Sequence, residues 1–135
     1  MEKELKNIVN GWILKANRDL LTIEHELTMN EPVTDSICFH AQQTAEKYLK
    51  AFLLFKQKSF SKTHNIDSLL KLCIKIDTAF MELEEAIKLT DYAVELRYPD
   101  DFYIPNLDEA KDAYEVAKKV KLFVIEKIGI DDLLG

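Results

Sequence analysis

The sequence predicts an all-α chain, an up-and-down four-helix bundle with an additional short helix. Apolar residues recur at spacings of three and four along nearly all of its 135 residues, the repeat that lines one side of a helix, and nowhere alternate by two as in a strand. Only three Gly and three Pro interrupt a composition rich in Leu, Lys, Glu and Ala, all good helix formers. A chain of this length buries roughly two thirds of the surface its unfolded form exposes, enough for one core. With no internal repeat or low-complexity stretch, residues 1–135 are expected to form one domain.

The first helix spans about Lys3 to Met29, with Leu5, Ile8, Trp12, Ala16, Leu20, Ile23 and Leu27 on its apolar stripe. Asn30-Glu31-Pro32 breaks it, because Pro cannot continue a helix but suits the first turn of the next. The second helix, about Val33 to Gln57, clusters Ile37, Ala41, Ala45, Tyr48, Phe52 and Phe55, widened by Cys38, Leu49 and Leu53. So broad a stripe marks a central helix with several neighbours. Thr63 or Asn65 can cap a shorter third helix carrying Ile66, Leu69, Leu70, Cys73 and Ile76. A fourth is expected over about Thr78 to Leu96, facing Phe80, Leu83, Ile87, Thr90 and Val94 inward. Residues 97–106, with two prolines, form a loop. Asn106 and Glu109 resemble a capping box opening the fifth helix, whose stripe of Ala110, Ala113, Tyr114, Ala117, Val120 and Val124 runs to Gly129.

Several function classes are excluded. His25, His40 and His64 sit on separate elements without a metal-ligand spacing, and Cys38 and Cys73 lie in apolar surroundings, so no metal, cofactor or disulfide framework is expected. There is no glycine-rich phosphate loop. No stretch has the ~18 apolar residues of a membrane span and the N-terminus has no signal-peptide pattern, so the expectation is a cytoplasmic protein with no membrane partner.

The net charge of −6 opposes loose binding to a nucleic-acid backbone, but it is unevenly spread. Residues 40–76 carry seven Lys against two acids, and residues 77–115 carry twelve acids against three basic residues. Either the opposite faces help helices associate, or the basic one meets a phosphate-bearing ligand. Within it, His40, Gln43, Lys47 and Lys50 stack at spacings of three and four on one strip of the second helix. The strip is either an ordinary polar edge hydrogen-bonded to a neighbouring helix or a surface for phosphate and base, to which Lys62 and His64 could be added. Arg97 is either a structural anchor paired with nearby acids or a fork for phosphate. Arg18 and His25, seven apart on the first helix, are taken as two exposed residues spaced by chance.

The run Phe39-His40-Ala41-Gln42-Gln43-Thr44-Ala45-Glu46-Lys47-Tyr48-Leu49-Lys50-Ala51 carries a resemblance to a known family. Lys62-Thr63-His64-Asn65-Ile66, Arg97-Tyr98-Pro99-Asp100 and a Trp-containing first helix ending in Ala16-x-x-Asp19-Leu20 stand in the matching order. In these the chain resembles small prokaryotic HEPN proteins over nearly its whole length. The resemblance implies a helical bundle, homodimerisation, association with nucleotides or RNA, and pairing with a small nucleotidyltransferase partner in a toxin–antitoxin-like system. HEPN ribonucleases carry Arg, four to six residues, then His. Here Arg97 is followed by no histidine at all, and without an imidazole the usual proton transfer at a 2′-hydroxyl lacks its group. The expectation is therefore a non-catalytic nucleotide- or RNA-associated module with ligand contacts at His40, Gln43, Lys47, Lys50, His64 and Arg97. The alternatives are a ribonuclease toxin with a degenerate site, in which His40, His64 or Arg97 substitutes, and a structural adaptor without ligand.

Overall fold

In the computed structural model, which describes residues 2–93 and 103–129, the helical periodicity becomes five elements. These are α1 (Lys3–Glu26), α2 (Thr34–Phe55), α3 (Ile66–Ile76), a 3₁₀ helix (Thr78–Tyr92) and α4 (Leu107–Ile128), with no strand among the described residues. Their ends follow local chemistry. Asn65 and Asn106 cap α3 and α4, their side-chain oxygens accepting from Ser68 N–H at 3.1 Å and Glu109 N–H at 2.8 Å. The Glu109 carboxylate accepts from the Tyr92 and Tyr103 hydroxyls, tying the start of α4 to the end of the 3₁₀ helix. Gly129, at φ 92°, terminates α4.

Residue pairs between elements give the directions. Asn17 meets Tyr48 while Glu26 meets Val33, so α1 and α2 are antiparallel. Glu85 meets Lys119 and Lys88 meets Asp112, so the 3₁₀ helix and α4 are antiparallel too. The α1–α2–3₁₀–α4 set thus alternates up and down, and α3 is the additional short helix. The sequence expectation of a central second helix holds: α2 packs on each of the other four elements, and Ile37, Ala41, Tyr48, Leu49, Phe52 and Leu53 are all buried.

The fourth expected helix differs in kind. Over Thr78–Tyr92 the buried residues are Phe80, Leu83, Ala86 and Leu89, a strict interval of three, and the segment winds as a 3₁₀ helix in which residues three apart eclipse. Ile87 and Thr90, expected inward on an α repeat, are only half-buried, and Val94 lies outside the described residues. Asp77 caps it, its Oδ1 accepting from Ala79 N–H at 2.9 Å. At about 2.0 Å per residue its 15 residues extend about 30 Å, against about 33 Å for the 22 residues of α4. The tighter winding therefore lets a shorter segment span the bundle. Phe80 anchors it between α2 and α4, its ring centroid 4.4 Å from Phe52 and 4.9 Å from Phe123.

After α2 the chain doubles back. Lys58 N–H donates to Leu53 O and Gln57 N–H to Leu54 O, both at 2.9 Å, and Gln57 takes φ 56° between them. This is the Schellman ending, which places a residue in the left-handed region where glycine is favoured. Residues 56–65 then return alongside the second half of α2, so that α3 begins beside its middle, where Gln42 Nε2 donates to His64 O at 2.9 Å. Relief of the left-handed strain predicts that Gln57→Gly stabilises the chain by about 0.5–1 kcal/mol, read as a raised urea midpoint with unchanged slope.

Candidate functional site

The polar strip of α2 is organised around two carboxylates, one contributed by α1 and one by α2 itself. Asp19, whose side chain is 11% exposed, faces α2 across the helix pair. Its Oδ1 accepts from His40 Nδ1 at 2.8 Å and its Oδ2 from Lys47 Nζ at 2.5 Å. Burial pushes the Asp19 carboxyl up, but the hydrogen bonds from His40 and Lys47 outweigh it and hold the group below its ordinary 3.8.

Glu46 is more deeply enclosed, with its side chain 4% exposed. Lys50 Nζ donates to its Oε2 at 2.9 Å, and Gln42 Nε2 and His64 Nδ1 approach its Oε1 at 3.0 and 2.9 Å. Here too burial pushes the carboxyl up and the bonds from Lys50, Gln42 and His64 win, holding it below 4.5. Lys50 is itself 8% exposed, with its ammonium 5.5 Å from the Trp12 ring and 5.7 Å from the Phe60 ring. A buried cation on two aromatic faces and one carboxylate is fully partnered. Gln43 Nε2 donates to Gln42 Oε1 at 2.6 Å, which ties the exposed edge of the strip to the Glu46 group.

The structure thus brings His40 and Lys47 together on Asp19, and Gln43, Lys50 and His64 together around Glu46. Arg97 lies outside the described residues. Arg18 and His25 are exposed on α1, away from both groups. Asp19, Glu46, Gln42, Trp12 and Phe60 were not singled out from the sequence as site residues, although Asp19 carries a usable signal. It is the one acid between Glu4 and Glu24, and it stands beside Leu20 and between Ala16 and Ile23 on the buried side of α1.

Exposed basic groups follow these clusters in the chain. No acid occurs between Glu46 and Asp67 in the sequence. Lys56, Lys58 and Lys62 are exposed on the returning 56–65 connection, and His64 at its end has a side chain 67% exposed even though Nδ1 is held by buried Glu46. An imidazole fixed at Nδ1 keeps Nε2 for another partner. Cys38 and Cys73 are buried, and burial pushes their thiols up to about 11 and about 12, so neither is a nucleophile near neutrality. Among the described residues no helix is long and apolar enough to cross a membrane.

Two predictions follow from the carboxylates. Glu46→Gln leaves the Lys50 charge buried without its counter-charge and should cost about 3–5 kcal/mol in chemical denaturation. Both native pKa values lie below the unfolded ones, so the stabilisation is complete above about pH 5 and is lost as pH falls through 4.5 and 3.8 towards the depressed native values. A stability profile across that window should be steep for the native chain and shallower for Asp19→Asn.

No curated protein and no solved structure matches the sequence. A family model does: the HEPN domain matches residues 9–128, from the first turns of α1 to the last residue of α4, and takes in both carboxylate clusters and the connection between them. By sequence and helical architecture alike, the chain belongs to the HEPN domain family.

Proposed function

We propose that the protein is a non-catalytic HEPN module that binds a nucleotide or single-stranded RNA, acts as a homodimer, and works with a nucleotidyltransferase partner in a toxin–antitoxin-like pair. The observation that carries the binding surface is the contrast between compensated and uncompensated cations. Lys47 and Lys50 are spent on Asp19 and Glu46, whereas Lys58 and Lys62 stand exposed beside His64 on a connection without acids. Phosphate affinity comes from exposed cations that displace counterions, so the ligand's backbone is assigned to Lys58, Lys62 and His64. Gln43, half-exposed on the adjoining strip, is the contact for the rest of the ligand, while His40, Lys47 and Lys50 serve the two carboxylates. Arg97 stays in the proposal on sequence grounds. The nucleotidyltransferase partner rests on family membership, and co-purification with the product of a neighbouring reading frame tests it.

Fluorescence anisotropy with a labelled single-stranded RNA oligomer tests the surface. Binding should weaken steadily with rising salt, and the Lys58→Ala/Lys62→Ala pair should lower affinity and flatten the salt dependence without changing the helical spectrum. Salt-independent binding, or binding indifferent to the pair, contradicts the assignment.

One observation favours the ribonuclease alternative. His40 and His64 are each oriented by a carboxylate on Nδ1, the arrangement that prepares an imidazole for proton transfer. The non-catalytic reading expects RNA to remain intact with purified protein and a chelator. Cleavage abolished by His64→Gln or His40→Gln would replace it with the enzyme reading.

A further inference from the structure

We propose that the ligand surface presents two fixed hydrogen-bond acceptors, His64 Nε2 and Gln43 Oε1, and that it selects its ligand by the donors that meet them, a ribose hydroxyl at His64 and the exocyclic amino group of a base at Gln43. This rests on the ligand-binding reading and names what the site reads. Lys58 and Lys62 attract every phosphate backbone alike and bring no such selectivity.

The polarity of both groups is dictated by buried Glu46. Its ionised carboxylate only accepts, so His64 Nδ1, 2.9 Å from Oε1, must carry the imidazole proton. A neutral ring protonated there has a bare lone pair at Nε2, here on a side chain 67% exposed. Gln42 is decided in the same way. Its Nε2 lies 3.0 Å from Glu46 Oε1 and 2.9 Å from His64 O, both acceptors, so the amide cannot be turned over and both its hydrogens are used. Gln42 Oε1 is therefore an acceptor towards Gln43, which must meet it with its own amide nitrogen, at 2.6 Å. Gln43 Oε1 is left over. It has no partner among the described residues, and since no unpartnered side-chain oxygen among them is buried, it is open to solvent.

One buried charge thus sets the sense of four hydrogen bonds and ends them on two outward lone pairs. A phosphate or carbonyl oxygen brought to either lone pair sets acceptor against acceptor and gives up its water, whereas an N–H or O–H is satisfied there. The amino group of adenine and the ribose 2′-hydroxyl are donors of this kind. His64 then meets the ligand's backbone at a sugar, with the phosphates left to Lys58 and Lys62, and Gln43 on α2 faces the base.

Fluorescence anisotropy at about pH 8, where an imidazole is neutral, separates the two donors. A single-stranded adenosine oligomer should bind about 3- to 10-fold tighter than one carrying purine in place of adenine, and tighter by a similar factor than its 2′-deoxy counterpart, the size of one lost hydrogen bond. Gln43→Met should abolish the first difference and keep the second, with the salt dependence and helical spectrum unchanged because no charge is altered. In the free protein, the imidazole nitrogen shifts of His64 should place the proton on Nδ1. Equal affinity for all three oligomers, or a His64 proton on Nε2, overturns the inference. Equal affinity in one arm overturns the acceptor that arm reads. An absence of salt-dependent binding by any oligomer overturns the ligand-binding reading itself.

Discussion

A glutamate enclosed in the middle of the central helix sets the terms for the polar half of this bundle. Removing a carboxylate from water is costly unless its lone pairs and charge are met, and Glu46 is met on every side. Lys50 comes from one turn along α2, Gln42 from one turn before, and His64 from the connection that doubles back. Trp12 of α1 and Phe60 of the connection close over Lys50. Three parts of the chain, α1, α2 and the connection, therefore converge on one ion pair. An aliphatic pair of the same volume would pack there at less electrostatic cost, so what the arrangement contributes is position: it fixes where the connection lies and which way His64 faces.

The second carboxylate does similar work between helices. Asp19 joins α1 to α2 through His40 and Lys47, while the Tyr48 hydroxyl donates to Asn17, two residues before Asp19. The α1–α2 contact is thus aligned by polar pairs at one edge and by Val9, Ile13, Ala16, Leu20 and Ile23 in the core. These bonds neutralise the middle of the strip and leave the exposed positive charge on the connection, where Lys58 and Lys62 meet no carboxylate among the described residues. Paired and unpaired cations share one basic stretch of sequence. The division between them is made by two acids.

Helix number and most boundaries were legible because each depends on neighbours in sequence: the apolar repeat, Pro32, Asn65, Asn106 and Gly129. The 3₁₀ winding was not, for a definite reason. Phe80 and Leu83 satisfy both repeats, which diverge only at Ala86 against Ile87 and Leu89 against Thr90, and both sets contain apolar residues. The site divides the same way. His40, Gln43, Lys47 and Lys50 share one helix, so their common strip could be derived from spacing alone. Their partners could not, since Asp19 is 21 residues from His40 and 28 from Lys47, and the burial of Lys50 depends on Phe60 returning over it. Arg97 stands outside the described residues, so the sequence remains the whole basis for it.

The central claim is that the cations of residues 40–65 are divided, those of α2 serving structure and those of the connection serving the ligand. Backbone amide and histidine resonances followed by NMR during titration with a single-stranded RNA oligomer test it most directly. The account predicts shifts concentrated over residues 56–65, with His64 moving and the Asp19–His40–Lys47 group nearly still. Shifts centred on His40 and Lys47, with residues 56–65 unmoved, would contradict it.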